Sequence, residues 1–159
     1  MADTKRENET PKERANRELI ELLNELRVVL PGVTVLFAFL LAVPFAKGWT
    51  GVTGFQRDVF VVAFLSTAVS VALLTAPSSY HRLRFRQDDK EHMVKVGNRL
   101  SIAGIAASAV SLEAVVLLVM DFVISRAAAV AAAAGLFAVV ALLWYGLPLV
   151  AALRDRSAR

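Results

Sequence analysis

The sequence has no cysteine and only two histidines, His81 and His92. Disulfides, thiol catalysis and thiolate metal sites are therefore excluded. The histidines are not read as a metal pair, because no third ligand stands at a useful spacing. There is also no nucleophile–base pair, metal cluster or phosphate-binding loop, so neither an enzyme nor a bound cofactor is expected. Three of the four long apolar stretches carry no charge and the remaining one only two acids, and no lysine or arginine falls at mid-depth in any of them. A secretory signal is not expected either. About 27 polar or amphipathic residues precede the first apolar run, and no small-residue cleavage site follows it.

What is present in excess is apolar sequence. At 57% hydrophobic residues the chain exceeds the 45–50% of soluble domains, and the excess is clustered. Four runs are long enough to cross a bilayer: Val28–Ala46, Val59–Tyr80, Leu100–Ile124 and Ala127–Leu153. At about 1.5 Å per residue the first covers about 28 Å, close to the hydrocarbon thickness. The expected fold is all-α, an integral membrane four-helix bundle preceded by an N-terminal cytoplasmic amphipathic helix.

Residues 1–9 are polar and unanchored, and disorder is expected there. Thr10-Pro11-Lys12-Glu13 reads as a helix start, with Thr10 as cap, Pro11 in the first turn and Glu13 closing a capping box. Leu19, Leu22, Leu23 and Leu26 then recur at helical spacing within residues 10–27, and Leu30 continues the pattern. Opposite charges stand four apart at Glu13/Arg17, Arg14/Glu18 and Arg17/Glu21. This helix lies on the membrane surface or packs on the cytoplasmic loop; the sharper alternative is that it binds a cytoplasmic protein partner. Pro31 is expected to bend the chain between this helix and the first span, and Pro44 to end that span. Trp49 stands at the depth of an interfacial aromatic.

In the second span Ala63, Ser66, Thr67 and Ser70 put small or hydroxyl-bearing groups on one side, a pattern that lets helices approach closely. Pro77 is expected to close this span. Residues 81–99 form the charged loop, where Asp88 with Glu91 suggests that the third helix begins well before Leu100. Arg82, Arg84 and Arg86, with Arg27 at the first span's rim, are read as lipid-headgroup contacts at an anionic cytoplasmic leaflet. Three arginines interleaved with Leu83 and Phe85 do not make a nucleic-acid site. In the fourth span Ala131 and Gly135 form a small-xxx-small pair, and the small-residue faces suggest a homo-oligomer. Residues 154–159 are a short basic tail.

Charge sets the orientation. Six lysines and arginines precede the first span, six lie in the second-to-third loop and three in the tail, fifteen of the 18 in the chain. Only Lys47, Arg57 and Arg126 fall in the two outer loops. The positive-inside rule then makes both termini cytoplasmic, which requires an even number of spans.

Glu113 departs from what a passive span needs. It lies near the middle of Leu100–Ile124, where insertion scales put an ionised side chain at roughly 2.5–3.5 kcal/mol unfavourable. Ser66 and Ser70 fall at comparable depth on the antiparallel neighbour and are its expected partners, which makes Glu113, Ser66 and Ser70 a candidate intramembrane proton or cation site. Asp121, a turn from the outer end, can be solvated or pair with Arg126. Two functions compete. The first reading is a structural or accessory membrane protein, with Glu113 as interhelical glue and cytoplasmic elements that bind a partner. The alternative is a proton- or cation-conducting channel or antiporter, against which no broken-helix pair or inverted repeat is found.

Several motifs add a resemblance. Glu21-Leu22-Leu23-Asn24-Glu25-Leu26-Arg27 leads into Pro31-Gly32-Val33 and Phe37-Ala38-Phe39-Leu40-Leu41. Phe55-Gln56-Arg57, Ala76-Pro77, Tyr80-His81-Arg82-Leu83-Arg84-Phe85-Arg86 and Asn98-Arg99-Leu100 follow. Together, over most of residues 18–153, these resemble a family of small bacterial four-span membrane proteins of unknown function, some members of which carry the name sodium:proton antiporter. The resemblance implies a multi-pass protein of the bacterial inner membrane and carries over no catalytic residues.

Overall fold

A computed structural model describes residues 9–83 and 90–147, which fall almost entirely into helices. Helix α1 spans Pro11–Ala42, α2 Gly54–Leu83, α3 Lys90–Val123 and α4 Arg126–Val140. Two short 3-10 turns, Val43–Phe45 and Lys47–Gly51, join α1 to α2, and a π-helical segment, Ala141–Gly146, follows α4. Among the described residues four helical segments are long and apolar enough to cross a membrane: Glu13–Phe45, Gly54–Tyr80, His92–Val123 and Arg126–Trp144. With 32, 30 and 34 residues, α1, α2 and α3 would run about 45–51 Å, longer than the ~30 Å hydrocarbon core.

The helix ends follow local chemistry. Thr10 and Glu13 form the expected capping box. The Thr10 amide donates to Glu13 Oε2 at 2.9 Å, and the Glu13 amide donates to Thr10 Oγ1 at 3.3 Å. A second capping box opens α2, where the Thr53 amide donates to Gln56 Oε1 and the Gln56 amide to Thr53 Oγ1. Ser125 caps α4 by accepting from the Ala128 amide. The start of α3 suggested by Asp88, and the end of the fourth span beyond Leu147, lie outside the described residues.

Proline placement agrees with expectation at Pro44 and differs from it at Pro77. Pro44 falls in the turn just after α1 ends, but α1 runs unbroken through Pro31, so the amphipathic stretch and the first apolar run are one helix. Pro77 is likewise inside α2 and does not close it. A proline removes one donor, and packing neighbours can hold a helix together across that gap. Pro77 has such neighbours: it is buried, and a Cβ added at Gly97 would lie 3.6 Å from Pro77 Cβ.

Burial follows a three–four repeat along each of these helices. In α1 the buried residues are Ala15, Leu19, Leu22, Leu26, Val33 and Leu40. In α2 they are Gln56, Phe60, Ala63, Thr67, Ser70, Leu74 and Pro77. In α3 the sequence is Met93, Gly97, Ser101, Gly104, Ser111, Ala114 and Leu118. This is the spacing of a narrow helix-packing seam, and on α3 it is made mostly of small residues, which let backbones approach.

The chain divides into two compact units. One comprises residues up to Ala42 together with Ser66–Ser108. Its core is Leu22, Leu26, Val33 and Leu74, with Val29, Leu30, Val71 and Ile105 packed around it. The apolar stripe of the amphipathic stretch is thus occupied within the chain: Leu22 reaches within contact distance of Gly97. The charged face carries Arg14–Glu18, Arg17–Glu9 and Arg17–Glu21 pairs, of which Arg17–Glu9 is partly buried. Ser70 Oγ donates to the Gly104 carbonyl at 2.8 Å, tying α2 to α3 in this unit. The other unit comprises Val43–Leu65 and the chain from Ala109 onward. There Ser111 Oγ donates to the Ala63 carbonyl at 3.1 Å.

Candidate functional site

The second unit holds Glu113 and Asp121, two carboxylates on α3 eight residues apart, or about 12 Å along the helix axis. Their surroundings differ sharply. Glu113 stands one place off the buried seam of Ser111, Ala114 and Leu118, and its side chain is half-buried. Its Oε1 is buried and accepts no hydrogen bond; among the described residues it is the one buried side-chain nitrogen or oxygen without a partner. Ser111, two residues before it, gives its proton to the Ala63 carbonyl.

Asp121 is fully engaged. Its Oδ2 accepts from Gln56 Nε2 at 2.9 Å, and its Oδ1 accepts a short bond from Arg126 Nε. The Arg126 guanidinium lies over the Phe55 ring, 3.4 Å from its centroid, a cation–π contact. Gln56 serves twice: its carbonyl closes the capping box of α2, and its amide ties α2 to Asp121 on α3. The pairing of Asp121 with Arg126 was one of the two fates open to it. Gln56 is the partner that sequence reasoning missed, although Thr53-Gly54-Phe55-Gln56 has the capping-box pattern.

Of the other candidate residues, Ser66 and Ser70 belong to the first unit. Ser70 is fully buried and donates to Gly104; Ser66 stands one place off the buried seam of α2 and is half-buried. Arg27 on α1 and Arg82 near the end of α2 are exposed, as a headgroup contact requires. Arg84 and Arg86 lie outside the described residues. No group of three or more His, Cys, Asp or Glu that could hold a metal ion occurs among the described residues. Chemically, Glu113 offers a lone carboxyl able to hold a proton, and Asp121 offers a satisfied ion pair.

The chain belongs to a family of unknown function, DUF6328, whose profile matches residues 8–148. No curated protein and no solved structure matches it.

Proposed function

We propose that this member of the family is a multi-pass protein of the bacterial inner membrane, with both termini cytoplasmic and a structural or accessory rather than enzymatic role. The observation that carries this reading is how the buried polar groups are used. Ser70, Ser111 and Gln56 each spend a donor on joining α2 to α3, so these groups act as ties and do not line an open path. The fifteen-to-three division of lysine and arginine supports the orientation. Arg27, Arg82, Arg84 and Arg86 would then meet anionic headgroups. The charged face of α1, whose apolar stripe is already occupied, would be the surface open to a cytoplasmic partner. The exposed small pair Ala131 and Gly135 on α4 supports self-association.

One observation favours a second reading, proton or cation conduction: the unpartnered Oε1 of Glu113 at mid-helix. The two readings separate in one experiment, proton and sodium flux into proteoliposomes carrying the wild type or Glu113→Gln. Glutamine keeps the size and hydrogen-bonding capacity but cannot ionise. The structural reading expects no flux from either protein and the same assembly state for both. Flux from the wild type that vanishes in a folded Glu113→Gln protein overturns it and makes Glu113 part of a pathway.

A further inference from the structure

The second unit contains a partly open cavity of about 300 Å³, at the lower end of the range for ligand sites. One wall is the turn after α1, with Ala46, Gly48 and Trp49; the other is the last two turns of α3, with Leu118, Val119 and Phe122. The lining is almost wholly apolar. Its walls are positioned by two contacts. The Trp49 ring stands edge-on to the buried Phe60 ring, 4.7 Å between centroids. The Phe122 ring closes on the backbone of Gly48, where an added Cβ would meet Phe122 Cζ at 3.4 Å.

The apolar lining offers water almost no polar partners, whereas an ordered water needs two or more. Its volume is roughly ten water-sized units, room for part of one acyl chain and not for a folded element. The rim supplies the complementary charge. Lys47 lies between two lining residues, is exposed, and makes no ion pair or hydrogen bond among the described residues. Of the two other cations on this side of the chain, Arg126 is committed to Asp121 and Phe55, and Arg57, in the first turn of α2, is not flanked by lining residues as Lys47 is.

We propose that this cavity binds one acyl chain of an anionic phospholipid, with the Lys47 ammonium on its phosphate. Trp49 then serves as wall and reporter at the depth where interfacial aromatics sit. This site rests on the membrane reading above, and differs from the headgroup contacts assigned to the arginines.

The test uses the full chain in vesicles, in a Trp144→Phe background that leaves Trp49 as the single tryptophan. The probes are phosphatidylglycerol and phosphatidylcholine with dibrominated chains, each at low mole fraction. Brominated phosphatidylglycerol is expected to quench Trp49 at a concentration about fivefold lower than brominated phosphatidylcholine, the preference a single lysine gives for an anionic headgroup. Lys47→Gln should abolish that preference. Val119→Phe, at a position already half exposed, should fill the cavity and reduce quenching by both lipids. Quenching that is equal for the two lipids and unchanged in both variants overturns the site. So does a Trp49 shielded from both lipids, which would mean that a second copy of the chain covers the cavity mouth. Carbonate extraction of the same vesicles separates the levels: release of the chain overturns the membrane reading and the site together. Retention without lipid preference overturns the site alone.

Discussion

A single methyl group at Gly104 tests how closely α2 and α3 approach in the first unit. A Cβ there would stand 2.7 Å from both Cγ and Cδ2 of Leu74, and 3.3 Å from Leu73 Cβ. Leu74 is fully buried in the core with Leu22, Leu26 and Val33, so it has no free space to rotate into. Overpacking of this kind costs about 1–3 kcal/mol. If the helices part to relieve it, the Ser70–Gly104 bond weakens, at a further cost of about 0.6 kcal/mol in a membrane setting. Against this, alanine is the better helix former by about 1 kcal/mol. The net expectation for Gly104→Ala is a destabilisation of about 1–2 kcal/mol. Gly135 supplies the control: it is exposed on α4 and a Cβ there meets nothing within 4 Å. Gly135→Ala should keep the propensity gain with no clash inside the chain, so under conditions where the protein is monomeric the two variants should differ in sign. The assay is denaturation in detergent micelles by sodium dodecyl sulfate, followed by far-ultraviolet circular dichroism. Adding Leu74→Ala to Gly104→Ala should show coupling, because the shortened side chain removes the clash. A Gly104→Ala protein as stable as Gly135→Ala would refute the close approach.

In the second unit, Ser111→Ala removes the donor to the Ala63 carbonyl and should cost about 0.6 kcal/mol, up to about 1.7, in the same denaturation. No change would make that hydroxyl incidental to packing. Asp121→Asn keeps an oxygen for Gln56 but removes the charge facing Arg126, whose side chain is half exposed. The loss of stability should therefore be modest and should shrink in high salt. A loss insensitive to salt would show that the ion pair is not its cause.

The elements were legible where a local rule governs them. Apolar run length marks the candidate spans, and Thr10 with Glu13 marks the start of α1 through contacts three residues apart. Pro77 was misread for the opposite reason. A proline punctuates an isolated helix, but Pro77 stands inside α2 as a buried seam residue whose neighbours come from far along the chain. The small-residue face of α2 was legible as a face but not as a register. Ala63, Thr67 and Ser70 lie on the buried three–four track, which continues to Leu74, while Ser66 stands beside it. Periodicity alone offers two adjacent tracks, and only the packing partner selects one.

The same logic separates the two acids of α3. A carboxylate in an apolar run is conspicuous in any sequence, and Glu113 and Asp121 are equally so. What distinguishes them is supplied by distant residues. Gln56, 65 positions earlier, reaches Asp121, and Arg126 folds back over Phe55 to neutralise it. Asp121 is thereby converted into a tie between α2 and α3, and nothing in its geometry calls for a ligand. Glu113 receives no such partner, although Ser111 stands two residues away with its proton already given to Ala63. A buried acceptor left without a donor costs about 1–3 kcal/mol, more when charged. A chain that meets this demand at Gln56, Ser70 and Ser111 had the means to meet it at Glu113 with a neighbouring hydroxyl. Among the described residues Glu113 is where that demand is left unmet, and the substitution to glutamine, which keeps size and hydrogen bonding but cannot ionise, is the sharpest single change to make there.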